Sequence, residues 1–247
     1  MKKIMFNDKY GLTQAVLEGR KTMTRRICPK VIQEGLDAAS KPILIVPIEK
    51  IPADMSLEEF SNVWGNQCGQ LIYTKDECTT VEQTMTPEQI MDVVISHSSY
   101  KIGEEVAVAQ SYKAIYDKME TTAGNCEANA WWCVLADSSD RSPILLAGYN
   151  NKMYVKAEFM PHRIRITNIK VERLQDITDE DCLEEGIHTV TLDLIGGSNK
   201  LLYDFSGDTE LYSSPREAFA ALIDRVSGKG TWDSNPWVWA YEFELIK

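Results

Sequence analysis

The segment Gly19-Arg20-Lys21-Thr22-Met23-Thr24-Arg25-Arg26 is a cluster of positive charge in an acidic chain. The 247 residues include 26 lysines and arginines against 37 aspartates and glutamates, which gives a formal net charge of −11. From Gly19 to Lys30, however, there are five cations and no carboxylate. Clustered cations repel one another unless a ligand or a set of acidic partners offsets them. The segment therefore indicates either a site for an anionic or polar ligand, or cations that pair with the surplus acidic groups.

The residues around this segment predict a helix followed directly by a strand. Residues 10–18 place their apolar side chains on one helical face, and a glycine ends the pattern. Residues 22–27 are typical of a strand in which Thr24 and Arg26 share one face. Lys21 lies at the junction between the two elements. We expect this junction to bring a cation and hydroxyl groups to one pocket.

Strands and helices alternate through the rest of the chain, without repeats. We expect strands at 106–109, 163–173 and 237–245, and helices at 177–186 and 215–226. The apolar alternation slips near Thr167-Asn168, which predicts a β-bulge there. Thr178 is expected to cap the helix that follows it, and Gly186 to end that helix.

Three long segments separate these elements and look like insertions, at about 30–99, 113–151 and 189–212. The first contains an apolar run at 43–48 and predicts a helix that begins near Thr86-Pro87. The first and last strands are both expected to be structurally essential. We therefore interpret residues 1–247 as a single α+β domain with insertions, and not as two domains in series.

Composition argues against several classes of protein. No segment approaches the roughly 20 apolar residues that span a bilayer, and the N-terminus lacks an apolar signal-peptide region, so we expect a cytoplasmic protein with no membrane partner.

The six cysteines form no C-x-x-C pair and the three histidines are isolated, which predicts no disulfide framework and no metal site. No cofactor is implied. Affinity for duplex DNA depends on lysine and arginine, so we expect none for bulk duplex, and any nucleic-acid contact should be local.

Two aromatic and two basic residues have both a binding and a packing interpretation. Arg163 and Arg165 share one face of a predicted strand, where they either extend the basic surface toward phosphates or face solvent. Trp237 and Trp239 can stack on a base, but their alternation with Tyr241 and other aromatic residues is more typical of core packing.

Segments from one end of the chain to the other resemble the ASCH-domain family, which has a PUA-like fold. The family hallmark G-x-K-x-x-E-x-R is matched by Gly19, Lys21 and Arg26, with Thr24 at the position of the glutamate. The chain is more closely similar to prophage- and gut-bacterium-type members, whose motifs include G-R-K-T-x-T-R-R, E-R-L-Q-D-I-T and N-P-W-V-W. The matching segments are Phe6-Asn7, 19–26, 103–112, 172–187 and 232–243.

This resemblance implies a PUA-like mixed, mostly antiparallel β-barrel with flanking helices and long insertions. ASCH and PUA-like domains are generally associated with RNA or nucleotide recognition. The resulting candidates for ligand binding are Gly19, Arg20, Arg25, Arg26, Arg163 and Arg165. One small bacterial group of the family is an amidohydrolase acting on acetylated cytidine. Its Lys, Thr and Glu correspond to Lys21, Thr24 and Glu185, which are therefore the catalytic candidates.

The chain departs from the family pattern after one predicted strand. Where relatives commonly read V-R-E-T-W, this chain reads Val108-Ala109-Gln110-Ser111-Tyr112, so Ala109 and Gln110 replace an arginine and a glutamate. If these two positions line the cleft, the ligand or the activity differs from that of the relatives.

The three catalytic candidates allow more than one role each. Lys21 can take a proton from the Thr24 hydroxyl only if its pKa falls well below about 10.4. Alternatively, Lys21 stays charged as an electrostatic clamp while Glu185 activates water. In a third interpretation, Lys21 and Glu185 form an ion pair that only holds a helix to the sheet.

Three functions therefore stand as hypotheses. The first is a module that binds a nucleotide, a modified nucleoside or single-stranded RNA in a basic cleft. The second is an amidohydrolase that acts on an acylated nucleoside. The third is a protein-interaction component of a mobile element, with which the acidic composition is compatible.

Overall fold

The structure, a computed structural model, describes residues 1–39, 43–47, 70–74, 87–123, 125–139, 142–193 and 199–246. The strands are β1 (Lys2–Ile4), β2 (Met23–Ile27), β3 (Ile43–Pro47), β4 (Gln70–Thr74), β5 (Glu105–Val108), β6 (Arg163–Arg173), β7 (His188–Asp193), β8 (Asn199–Asp204) and β9 (Trp237–Ile246). The helices are α1 (Leu12–Leu17), α2 (Lys30–Ala39), α3 (Pro87–Ser96), α4 (Tyr112–Thr122), α5 (Asn125–Ser139), α6 (Asp179–Glu184), α7 (Pro215–Ser227) and α8 (Thr231–Ser234). This is the α+β class that the sequence predicts.

The main sheet has five strands in the order β1-β5-β6-β9-β2. The β1 strand runs parallel to β5, and the other neighbours are antiparallel, so the sheet is mixed and mostly antiparallel. Its edge strands, β1 and β2, do not pair with each other, so the part of the chain that is described contains an open sheet and no closed barrel. Two small ladders lie outside it, β3–β4 in parallel and β7–β8 antiparallel.

The longest pairing, between β6 and β9, contains the predicted bulge. The register shifts between Ile166 and Asn168, which pair with Phe243 and Glu242, so Thr167 is the extra residue. The slip in the apolar alternation is thereby confirmed as a bulge. The middle of β9 is buried, with Tyr241 fully enclosed, so the aromatic alternation there reflects core packing.

The predicted ends of the two helices that meet near Lys21 are confirmed. The α1 helix is followed by Gly19 at φ 73°, and α6 is followed by Gly186 at φ 103°, conformations that glycine adopts without a Cβ clash. The Thr178 hydroxyl accepts a hydrogen bond from the Asp181 amide at 3.1 Å, as expected of an N-cap. The α3 helix begins at Pro87 as predicted, and its proposed cap, Thr86, lies outside the described residues.

Two apolar cores lie against the main sheet. The larger one joins the sheet to α1 and α7, and includes Val16, Phe219 and Tyr241. The smaller one joins the end of β5 to α4 and α5, and includes Ala109, Ile115 and Leu135. Ala109 is therefore a packing residue, and an arginine at this position would not fit without rearrangement.

Candidate functional site

A cleft of about 370 Å³ opens beside the basic segment, between β2, α6 and α7. Lys21, Thr24 and Glu185 all line it, although Glu185 is 164 residues from Lys21 in the chain. Arg25 and Arg26 line the same cleft. Three side chains that the sequence singled out as catalytic candidates, and two of the ligand-binding candidates, are thus brought to one place.

The backbone holds Lys21 at the meeting point of α1, β2 and α6. The Lys21 amide donates to the Ala15 carbonyl at 3.0 Å, and the Thr22 amide donates to the Glu184 carbonyl at 3.0 Å. The turn after α1 is therefore tied to the last residue of α6. Because Gly186 then turns the chain at positive φ, Glu185 points back at Lys21.

Lys21 and Glu185 form a buried ion pair. The Lys21 Nζ donates to Glu185 Oε2 at 2.5 Å and to the Glu185 backbone carbonyl at 2.7 Å, and only 2% of the lysine is exposed. The carbonyl belongs to the C-terminal end of α6, where a cation is favoured. Two of the three Nζ positions are thus committed to Glu185. The third is a hydrogen in the ammonium form and a lone pair in the neutral amine.

Arg25 extends this pair into a network of two cations and three carboxylates. It donates to Asp181 Oδ2 at 2.6 Å, to Glu172 Oε1 at 2.8 Å and to Glu185 Oε1 at 3.3 Å. The network links β2 to both β6 and α6. Glu185 accepts from Lys21 on one carboxylate oxygen and from Arg25 on the other, so both of its oxygens are already engaged by cations.

Burial lowers the pKa of Lys21 below its ordinary value of 10.5, because the charged amine has lost contact with water. The Glu185 carboxylate opposes this shift, and the charges of Arg26 and Arg25 add to it. For Arg25, burial also acts to lower the pKa, but Glu185, Glu172 and Asp181 outweigh it and the pKa is raised. The arginine is therefore a permanent charge, whereas the lysine is the titratable cation of the cleft.

The Thr24 hydroxyl faces the cleft and has no hydrogen-bond partner among the described residues. Thr24 is 5% exposed and lines the cleft, yet its hydroxyl forms no hydrogen bond with any described residue. A water molecule or a ligand in the cleft is the natural partner for this hydroxyl.

Arg26 is the cation of the basic segment that no carboxylate neutralises. Its guanidinium donates to the Met5 carbonyl at 2.6 Å and lies 5.8 Å from the centre of the Phe6 ring, and it forms no salt bridge with the described residues. By contrast, Arg20 pairs with Glu18 at 2.6 Å and Lys30 with Glu34 at 3.6 Å. An unpaired guanidinium at a cleft is suited to bind an anion.

The opposite wall of the cleft is apolar. It consists of side chains from one face of α7, namely Phe219, Leu222, Ile223 and Val226. Phe6 adds an aromatic ring, which stands 5.8 Å from the Lys21 ammonium. The cleft therefore combines a charged wall with an apolar one, which suits a flat ring that carries polar substituents.

The other predicted ligand-binding residues do not line this cleft. Gly19 serves the turn after α1. Arg20 is on the surface, where it contacts Glu18 and the His188 ring. Arg163 and Arg165 lie on the exposed face of β6, where Glu105 pairs with both arginines and Glu244 pairs with Arg165.

Ala109 and Gln110 are also separate from the cleft at Lys21. Ala109 is part of the smaller core, and Gln110 lines a second cleft where β5 ends and β6 begins. The two positions therefore do not line the cleft at Lys21.

Sequence reasoning missed the partners of Arg25 and the apolar wall. Glu172 and Asp181 belong to the segment 172–187 that resembles the family, so their position in that motif was a usable signal. Residues 215–226 were predicted as a helix, but apolar spacing along a helix does not reveal whether its apolar face covers the core or borders a cleft.

In the described ranges, no group of three or more His, Cys, Asp and Glu side chains is arranged to hold a metal ion. Nor does any helix in those ranges have the length and apolar character needed to cross a membrane.

Comparison with protein-family models, with curated proteins and with solved structures finds no match for this chain.

Proposed function

We propose that the cleft at Lys21 binds a nucleotide, a modified nucleoside or a short single strand of RNA. This proposal rests on the absence of a carboxylate partner for Arg26. The arginine borders the cleft, and no described carboxylate pairs with it. In a chain with a formal net charge of −11, leaving one arginine unpaired in the cleft favours an anionic ligand.

The two walls of the cleft indicate where the base and the phosphate of such a ligand would bind. A base fits against the apolar face of α7, where Val226 is exposed and Ile223 reaches the cleft. The Thr24 hydroxyl can exchange a hydrogen bond with the polar edge of the base, and Arg26 can pair with a phosphate. A volume of about 370 Å³ admits one nucleoside with its substituents, so longer strands would extend beyond the cleft.

We further propose that the fold is PUA-like and that the chain is an ASCH-type domain. The proposal is supported by the mixed, mostly antiparallel sheet and by the position of the G-x-K segment between α1 and β2, beside the cleft. In this proposal the open five-stranded sheet is the described part of a barrel.

The binding proposal is tested by titrating a labelled pentanucleotide of single-stranded RNA and measuring fluorescence anisotropy at several salt concentrations. We expect Arg26→Gln to weaken binding and to reduce the salt slope by about 0.7, the value for one phosphate contact on a single strand. Arg165→Gln is the matched control, because it removes an exposed arginine that already pairs with Glu105 and Glu244. Equal affinity of the wild type and Arg26→Gln would discard this cleft as the binding surface.

A second candidate, an amidohydrolase acting on an acylated nucleoside, is favoured by a different observation. Burial lowers the pKa of Lys21 while the Thr24 hydroxyl lies open to the same cleft. In its neutral form, Lys21 is a base that lines the same cleft as the Thr24 hydroxyl, a nucleophile. Since both oxygens of Glu185 accept from cations, Glu185 suits the role of orienting Lys21 better than that of activating water.

In this reaction the Thr24 oxygen attacks the acyl carbonyl as Lys21 takes the hydroxyl proton. The tetrahedral intermediate then breaks its C–N bond, and Lys21 returns the proton to the departing amine. Water hydrolyses the resulting threonine ester, which releases the carboxylic acid and restores the hydroxyl. Arg26 is the cation that can stabilise the negatively charged oxygen of the tetrahedral intermediate.

This candidate is tested by incubating the protein with acetylated cytidine and following the release of cytidine. Turnover that disappears in Thr24→Val, while Arg165→Gln retains it, would support the enzyme. The absence of turnover at high enzyme concentration would rule out the amidohydrolase and would not affect the binding proposal.

A further inference from the structure

A second cleft, of about 240 Å³, lies where β5 ends and β6 begins, under α4 and the start of α5. Its apolar lining comes from Ile115, Met119, Ala123 and Pro161. Its polar side chains are Gln110, Lys118, Thr122, Glu127 and His162. This set includes an amide, an imidazole and charges of both signs, and none of these residues lines the cleft at Lys21.

Gln110 is the most informative residue of this cleft. It is 7% exposed, and its Oε1 is the one buried side-chain oxygen or nitrogen without a hydrogen-bond partner in the described part of the chain. An unpaired buried carbonyl oxygen costs free energy and is rare in folded proteins. Gln110 lies directly after a buried strand, and an apolar residue could occupy this position, so retention of an amide indicates a partner that comes from outside.

Two of the side chains around Gln110 also lack partners in the described ranges. Neither ring nitrogen of His162 forms a hydrogen bond there, and Lys118 forms no salt bridge. Burial, together with the charge of Lys118, lowers the pKa of His162 below 6.5, so the ring is neutral at pH 7, with one nitrogen that donates and one that accepts. The Thr122 hydroxyl, by contrast, donates to the Lys118 carbonyl at 2.7 Å.

The chemistry of a carboxamide restricts the ligand. It presents an acceptor and a donor side by side, so its best partner offers a donor and an acceptor with the same spacing. Such a partner satisfies the amide in either of its two orientations. The apolar residues favour a flat ring, and the volume is below the roughly 300–1,000 Å³ of sites for drug-sized ligands.

We propose that this second cleft binds a planar molecule with an N–H donor next to an acceptor, held by Gln110 and His162. A primary carboxamide on an aromatic ring and the edge of a nucleobase both have this chemistry. The site is independent of the proposed function of the cleft at Lys21.

The test uses benzamide and cytosine as probes, one for each source of this chemistry, and follows the imidazole signals by NMR. The chain has three histidines, so the His162 signal is readily assigned with His162→Phe, and it reports on this cleft alone. We expect at least one probe to shift the His162 signal saturably and to leave His97 and His188 unchanged. Arg26→Gln, which alters the other cleft, should bind the same probe with unchanged affinity.

Two variants of Gln110 separate ligand binding from folding. Gln110→Leu should reduce affinity at least tenfold while its midpoint of urea unfolding stays equal to that of the wild type or rises, because an unpaired polar group has been removed. Gln110→Glu offers only acceptors and should reverse the preference, binding benzamidine better than benzamide.

The proposal is overturned if neither probe shifts the His162 signal, or if Gln110→Leu binds as well as the wild type. A lower unfolding midpoint for Gln110→Leu would also overturn it, because the amide would then be a structural group with a partner inside the protein. The reversed preference of Gln110→Glu is a gain of binding, so it does not depend on the behaviour of the leucine variant.

Discussion

The ammonium group of Lys21 donates to two oxygens of a single residue, the side-chain carboxylate of Glu185 at 2.5 Å and its backbone carbonyl at 2.7 Å. This double contact fixes the position of the lysine and the end of α6 together. It also explains how a lysine that is 2% exposed is tolerated, because a buried charge needs both a counterion and hydrogen bonds. Any ligand of the cleft therefore meets a preorganised lysine.

Glu185→Ala is expected to destabilise the protein by about 3–5 kcal/mol, because it leaves the Lys21 charge buried without its counterion. Arg25 loses one partner in this variant but keeps Glu172 and Asp181. The measurement is the free energy of unfolding in urea.

The matched control for this variant is Glu18→Ala. It breaks the exposed pair of Glu18 and Arg20 and should leave the free energy of unfolding nearly unchanged. The double variant Lys21→Met/Glu185→Leu should be more stable than Glu185→Ala, since it removes both charges. A loss below about 1 kcal/mol in Glu185→Ala would contradict a tightly coupled buried pair.

Local signals in the sequence were sufficient for most elements that frame the site. The bulge in β6 could be predicted because a slip of one residue moves every later side chain to the other face of the sheet. The ends of α1 and α6 could be predicted from Gly19 and Gly186, and the start of α6 from Thr178, because caps depend on residues within a few positions.

The distribution of charge at the site could not be predicted in the same way. Arg25 and Arg26 are adjacent in the sequence, yet Arg25 meets three carboxylates while Arg26 meets none in the described ranges. Strand alternation places them on opposite faces, but which face meets Glu172 and α6 depends on how the sheet and helix pack. The same limit applies to Arg165, whose neighbours Glu105 and Glu244 are set by strand register.

Thr24→Val is expected to leave stability nearly unchanged while it abolishes binding or turnover at the cleft. The Thr24 hydroxyl makes no hydrogen bond with the described residues, so its removal breaks none of their contacts.

Thr13→Val is the matched control for Thr24→Val, because Thr13 is similarly buried but donates to Asp8 at 2.5 Å. We expect a loss of about 1 kcal/mol or more for Thr13→Val in urea unfolding. An equal loss in both variants would indicate that Thr24 has a structural role.

Substitution of the two adjacent arginines is expected to have opposite effects. Arg25→Gln should cost about 3 kcal/mol or more in urea unfolding, since it leaves three carboxylates crowded around a neutral side chain. Arg26→Gln should change stability by less than about 0.5 kcal/mol, because no salt bridge to the described residues is lost, and should reduce affinity for single-stranded RNA. If Arg26→Gln destabilises the protein as strongly as Arg25→Gln, Arg26 is a structural residue and not a free anion-binding group.

The buried cysteines should resist alkylation well above neutral pH. Burial raises the pKa of Cys28 and of Cys182 from 9.0 to about 12, so both keep their protons in the native state at pH values where an unfolded chain has lost them. Only the thiolate is nucleophilic, so iodoacetamide at pH 9 should modify the exposed Cys126 and Cys133 and spare the buried pair. Peptide mass spectrometry identifies each site, and the same reaction in urea should also modify Cys28 and Cys182. Because the unfolded state binds fewer protons than the native state between pH 9 and pH 12, these thiols favour unfolding increasingly across that range. Rapid native modification of Cys182 would mean that α6, and with it Glu185, opens far more often than the buried contacts to Lys21 and Arg25 allow.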